Sequence, residues 1–167
     1  SYGPVYRHKN PQRGRLRQFR QFNLEILGTE KSIADALIIR TLITILEEFG
    51  FKDLIVDINS MGDKETRPTF LKDLTNYYKK HLESLCKDCH ERIKTNPLRL
   101  LDCKQLQCQP FKDAAPSSLS YLSNDARSHF KEVLQYLEEM GIAYRINNSL
   151  VRGLDYYSRT VFEVIKI

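Results

Sequence analysis

The hydrophobic pattern of this chain changes period several times. Tyr2 to His8 reads as a strand, Lys9 to Gly14 is rich in turn formers, and Leu16 to Leu27 alternates as the returning strand of a β-hairpin. Strand side chains point alternately to opposite faces. On the return, Arg17, Phe19, Gln21, Asn23 and Glu25 therefore share one face, and Arg20, Phe22, Leu24 and Ile26 share the other. Gln21 and Glu25 point the same way, on the polar face open to a ligand.

From Ser32 to Phe49 the period becomes helical, with Ile33, Ala36, Leu37, Ile39, Leu42, Ile43, Leu46 and Phe49 at three- and four-residue steps. Ser32 is the expected N-cap, with Asp35 three residues on, and Gly50 the expected stop. Leu54 to Asn59 is a short strand. Phe70, Leu71, Leu74, Tyr77, Tyr78, Leu82 and Leu85 make an amphipathic helix opened by Pro68. Phe130, Val133, Leu134, Leu137 and Met140 make another, closed by Gly141. Between them Lys104 to Ser120, with two prolines and paired serines, reads as loop. Strand signals resume at Ile142 to Ile146 and again at Val161 to Val164. The expected class is α+β: an antiparallel sheet with a flanking helix, interrupted by a helical insertion. The expected division is residues 1–62 and 142–167 as two parts of a core, with 63–141 as the insertion.

At 167 residues and 41% hydrophobic content the chain can bury a core and form one domain, or one domain with an insertion. No apolar run approaches the ~18 residues of a membrane span, and no signal-peptide pattern is present, so the expected location is the cytoplasm, with no membrane partner. Charge becomes informative once it is located. Residues 1–24 carry six Lys/Arg and no acid, while the rest holds 20 basic against 21 acidic residues, so the whole formal +5 resides in the first hairpin. An uncompensated cluster around a Pro-Gln-Arg-Gly turn fits a phosphate-binding element better than a solvated surface.

Two segments carry the chemistry: Tyr6-Arg7-His8-Lys9-Asn10-Pro11-Gln12-Arg13-Gly14-Arg15-Leu16-Arg17-Gln18-Phe19, and Leu150-Val151-Arg152-Gly153-Leu154-Asp155-Tyr156-Tyr157-Ser158-Arg159-Thr160-Val161-Phe162-Glu163. The first resembles the motif 2 hairpin of class II aminoacyl-tRNA synthetases; the second resembles the histidine-pocket signature of the histidyl-tRNA synthetases. Ile58-Asn59-Ser60-Met61-Gly62 and Asn96-Pro97-Leu98-Arg99-Leu100-Leu101-Asp102 are similar to family stretches between them. Counterparts of the family's first motif, which makes its dimer interface, of its third motif and of its anticodon-binding domain are not found. The chain is therefore expected to be the middle of a synthetase, inactive alone, from a family whose full-length members are homodimers.

The resemblance implies histidine activation by ATP with Mg2+, then transfer to the acceptor end of tRNA(His). In-line attack on the α-phosphorus builds charge on phosphate oxygens, and an arginine fork suits that charge because it is planar and always protonated. Arg7 matches the motif 2 arginine on the α-phosphate, and Arg152 the signature arginine contacting that phosphate and the histidine carboxylate. Both would act by electrostatics and positioning. Glu25 and Tyr157 match residues that address the imidazole, Gln21 one that binds the α-amino group, and Tyr156 lines the same region. Arg13, Arg15 and Arg17 are the expected contacts to tRNA phosphates or pyrophosphate. Lys9 replaces a usual carboxylate and Arg20 a usual histidine. The alternative is a non-catalytic synthetase-like module, regulatory or tRNA-sensing; its members tend to lose the arginines or the second signature, both intact here.

Cys86, Cys89, Cys103 and Cys108 are spaced C-x2-C-x13-C-x4-C, with His81 and His90 nearby. The first pair has zinc-knuckle spacing and the second is looser. The expectation is reduced thiols with no metal, since a disulfide does not suit the cytosol. Zinc, were it bound, would be structural.

Overall fold

A computed structural model describes residues 1–8, 13–152 and 157–167. The chain divides into two compact units, Ser1–Glu30 and Lys31–Ile167. In the first, β1 (Tyr2–Tyr6) pairs antiparallel with β2 (Gln18–Phe22), Tyr2 opposite Phe22 and Tyr6 opposite Gln18. Backbone bonds extend the ladder by one rung at each end, from Arg7 N–H to the Arg17 carbonyl (2.8 Å) and from Asn23 N–H to the Ser1 carbonyl (2.7 Å). The returning strand is shorter than its alternation implies. Residues 24–27 lie beyond it, so the shared-face argument for Gln21 and Glu25 ends at Asn23.

In the second unit α1 (Ser32–Glu48) and α5 (Asn124–Glu139) pack together over the sheet residues Val56 and Ile58. The expected α1 stripe is met at Ala36, Ile39 and Ile43 but differs in the first two turns, where Ser32 and Ala34 are buried in place of Ile33 and Leu37. Ser32, Ala36, Ile39 and Ile43 are buried at 4-3-4 steps, whereas Ile33 and Leu37 are 44% and 52% exposed. An α1 that is apolar almost all round has no periodic preference strong enough to choose its inner face, and α5 decides it. Ser32 is consequently not the cap: Lys31 holds that position without a side-chain bond, and the buried Ser32 hydroxyl donates to Glu132 of α5 at 2.5 Å. The C-terminus behaves as expected. Gly50, at φ +84°, lets its own N–H reach Glu47 and that of Phe51 reach Leu46, closing the helix with a Schellman motif.

The sheet has the order β4-β3-β5, with β3 at Leu54–Ser60, β4 at Tyr144–Ile146 and β5 at Thr160–Lys166. β5 runs antiparallel to β3, but β4 runs parallel to it. A parallel neighbour needs a long crossover, and residues 61–143 supply it. That excursion contains α2 (Arg67–Lys80), α3 (Lys87–Thr95) and α4 (Gln109–Asp113) before α5. Pro68 stands in the first turn of α2, and Phe70, Leu74 and Tyr78 form its buried face. Leu82 and Leu85 fall outside α2, which stops at Lys80; a 3-10 turn at Leu82–Ser84 follows. The 104–120 stretch is not wholly loop, because α4 lies within it. These segments enclose a second core of Met61, Phe70, Leu74, Tyr78, Leu98, Leu100, Leu101 and three cysteines.

Candidate active site

In the hairpin, the strand register gathers the expected phosphate-binding arginine with its neighbours. The Arg7 guanidinium lies 4.7 Å above the Phe19 ring, and its Nη2 is 3.5 Å from Gln21 Oε1. Gln21 Nε2 donates to Asn23 Oδ1. Phe19, Gln21 and Asn23 are the half-buried positions of an otherwise exposed stretch, as their alternation predicts. Arg7, Gly14, Arg15, Leu16 and Phe19 line a cleft of about 380 Å³. Arg13 and Arg17 are exposed. Arg20 takes the opposite face, where its guanidinium lies 5.4 Å from the Tyr2 ring and donates to the Tyr2 hydroxyl at 3.3 Å. Glu25 is exposed and lies beyond the paired strand.

In the second unit β3 is amphipathic in an unusual sense, with both of its faces buried. Val56 and Ile58 face the helices, while Asp57 and Asn59 alternate with them and carry polar chemistry. Asp57 accepts a bidentate fork from Arg145 (Nε 2.9 Å, Nη2 3.0 Å to its two oxygens) and a third bond from Asn147 at 2.8 Å. Burial pushes the Asp57 carboxyl up, but the bonds from Arg145 and Asn147 and the Arg145 charge outweigh it, so its pKa falls below the usual carboxylate value. Asn59, fully buried, donates to the Leu150 carbonyl at 3.0 Å and accepts from Ser60 N–H at 2.9 Å. These bonds hold the 147–150 segment against β3, two residues before Arg152.

Arg152 then reaches β5, with Nη1 3.5 Å from Glu163 Oε1 and Nη2 3.4 Å from the Phe162 carbonyl. Both contacts are long and the side chain is 41% exposed, so the guanidinium is oriented but still available to an anion. Glu163 stands opposite Asp57 in the register, which puts it on the same sheet face. Tyr157 is 40% exposed, and its carbonyl accepts from Arg67. Lys9, Tyr156 and the Gly153–Asp155 segment lie outside the described residues. Arg7 and Gln21 thus belong to one unit and Arg152 and Tyr157 to the other. Asp57 and Arg145 are given no role by the sequence, and Asn59 stands there only within a stretch similar to the family; the further signal is two polar residues at alternate positions of an apolar strand.

A second polar node ties the start of the crossover to its end. Asp63 accepts from the Ser123 hydroxyl, the α5 N-cap, and from Thr66 N–H (3.0 Å), Thr66 Oγ1 (2.9 Å) and Glu65 N–H (3.2 Å). The Ser123 bond, followed by those from Thr66, lowers its pKa to about 2. Among the described residues no helix is long and apolar enough to cross a membrane.

The family model for histidyl-tRNA synthetase matches residues 1–166. The chain is 44% identical over 163 residues to the histidine-tRNA ligase of Desulforamulus reducens, covering 98% of this chain and 39% of that protein. It is 40% identical to the histidine-tRNA ligase of Bacillus subtilis over 163 residues, 98% of this chain and 38% of that one. It therefore spans roughly two fifths of the length of these relatives. Among solved structures, apo S. aureus histidyl-tRNA synthetase superposes with a TM-score of 0.70 at 32% identity, covering 98% of this chain and 37% of that one. The Bacillus halodurans C protein described as an ATP phosphoribosyltransferase regulatory subunit/histidyl-tRNA synthetase matches with a TM-score of 0.58 at 19% identity over 99% of this chain and 46% of that one, a likeness of fold alone. With a family model spanning 166 of its 167 residues, this chain belongs to the histidyl-tRNA synthetase family.

Proposed function

We propose that the protein containing this chain is a cytoplasmic, homodimeric histidine-tRNA ligase, which forms histidyl-adenylate from histidine and ATP and passes the histidyl group to tRNA(His). Family membership over the whole chain supports this, and so does retention of both arginines within their motifs. Arg7 and Arg152 bind and stabilise the α-phosphate as charge builds on its oxygens. Arg152 also meets the histidine carboxylate. Gln21 takes the α-amino group, and Glu25 and Tyr157 address the imidazole, whose donor and acceptor need complementary partners. Tyr156 lines that pocket. Arg13, Arg15 and Arg17 serve tRNA phosphates or the departing pyrophosphate. Mg2+ enters with the triphosphate, whose oxygens are the hard ligands it prefers. Residues 1–62 and 142–167 act as the core and 63–141 as the insertion, although α5 packs on the core sheet.

The observation that carries the reading is the hairpin face where Arg7 rests on Phe19 beside Gln21, in a segment rich in cations and free of acids. Histidine-dependent ATP–pyrophosphate exchange by the full-length protein tests it. Exchange with histidine, and none with other amino acids, is the expected result. A full-length protein silent with histidine and ATP would instead support the non-catalytic regulatory or tRNA-sensing reading.

A further inference from the structure

The four cysteines fall in two pairs separated by thirteen residues, and their sulfurs all come within 4.8 Å of one another. From this arrangement we propose that Cys86, Cys89, Cys103 and Cys108 form a structural tetrathiolate site for Zn2+. A Zn–S bond of about 2.3 Å places the sulfurs of a regular tetrahedron about 3.8 Å apart. Cys86 Sγ and Cys103 Sγ are 3.8 Å apart. That is nearly twice the ~2.05 Å of a disulfide, and a multi-iron cluster, whose cysteines bind different irons, needs a wider cage.

Local structure brings each ligand in. Cys86 is the N-cap of α3 and Cys89 lies in its first turn, so the i, i+3 spacing turns both side chains toward one point at the positive end of the helix. The Pro97–Leu100 3-10 turn, anchored by buried Leu98, Leu100 and Leu101, returns the chain to place Cys103. Gln109 Nε2 donates to the Cys103 carbonyl at 2.8 Å, which ties that residue to the turn carrying Cys108. The Cys86 N–H donates to Cys108 Sγ at 3.4 Å, the kind of bond that supports a thiolate. Cys89, Cys103 and Cys108 are at most 3% exposed. Tyr78, 1% exposed, packs in the same cluster, and its hydroxyl has no hydrogen-bond partner among the described residues, although a metal-bound thiolate could accept from it. His81 instead packs its ring between Tyr77 and Phe111, which leaves sulfur as the ligand type. Four thiolates in tetrahedral array suit zinc. The site would pin α3 to the 103–108 loop, where a short polar helix has little apolar surface of its own.

Elemental analysis of the full-length protein, purified without chelator, tests the site independently of aminoacylation. The expected content is about one zinc per chain, falling at least tenfold in Cys103→Ser/Cys108→Ser. If that variant does not fold, Co2+ titration of chelator-stripped wild type should show a stoichiometric tetrathiolate spectrum, with its sulfur-to-cobalt band reduced by roughly a quarter in Cys86→Ser. Four freely reactive thiols with less than about a tenth of a zinc per chain and no such spectrum would overturn the proposal. So would bound iron, or an intact mass showing disulfides.

Discussion

In Ser1–Glu30 every described side chain is at least partly exposed, whereas Lys31–Ile167 contains two clusters of buried side chains, one around Val56 and Leu137 and one around Leu74 and Cys89. Within the hairpin, order comes from ladder bonds and from arginines lying on aromatic rings, Arg7 on Phe19 and Arg20 on Tyr2. A two-stranded ribbon of this kind is marginal alone. Its six cations repel one another, so the segment trades stability for a surface suited to phosphate. The larger unit does the reverse. It packs Val56 and Ile58 of β3 into an apolar core and compensates the buried Asp57 carboxylate with bonds from Arg145 and Asn147.

If that contrast is right, stability and chemistry should separate under mutation. Leu137→Ala removes a side chain with no exposed surface from between α5 and the sheet, and should cost about 2–5 kcal/mol in denaturant unfolding. Phe22→Ala, at a position 59% exposed in the hairpin, should cost no more than about 0.5 kcal/mol. Equal costs for the two would break the comparison. Arg152→Ala in the full-length protein should slow adenylate formation by about 10²–10³-fold while leaving Tm nearly unchanged. A change confined to the KM for histidine would remove its transition-state role.

Replacing Arg13 and Arg15 together by Gln should weaken tRNA binding about tenfold and flatten the dependence of log affinity on log salt by about one unit per lost contact. Filter binding at several salt concentrations checks this; unchanged slopes would assign both arginines to ATP or pyrophosphate. The smallest effect concerns acid. The Asp63 pKa is depressed in the folded protein, so its contribution is complete above the unfolded value near 3.8 and disappears as pH falls through about 2. After solvent screening this amounts to about 1 kcal/mol. Asp63→Asn should accordingly lower Tm at pH 7 and reduce the further loss between pH 4 and pH 2; parallel acid titrations of variant and parent would contradict the assignment.

The elements read most readily from sequence were those whose information is local. The Gly50 and Gly141 stops and Pro68 each act through backbone geometry that a single residue imposes. The alternation at Phe19, Gln21 and Asn23 also survives in the structure. α3 escaped because nine residues offer only Cys89 and Ile93 as buried periodic positions, and α4 because five residues make little more than one turn. Ser32 has the chemistry of a cap, but Glu132, a hundred residues away, takes its hydroxyl.

What the sequence determined by itself was therefore the family, through two long motifs, together with the charge of the hairpin and the C-terminal glycine stops of α1 and α5. Tertiary structure decided which face of α1 is buried, that β4 lies parallel to β3, that Asn59 secures the approach to Arg152, and that two separated cysteine pairs meet. Each of those outcomes depends on contacts between residues remote in the chain. Their free energy comes from burial and hydrogen-bond satisfaction after collapse, and no local spacing encodes it.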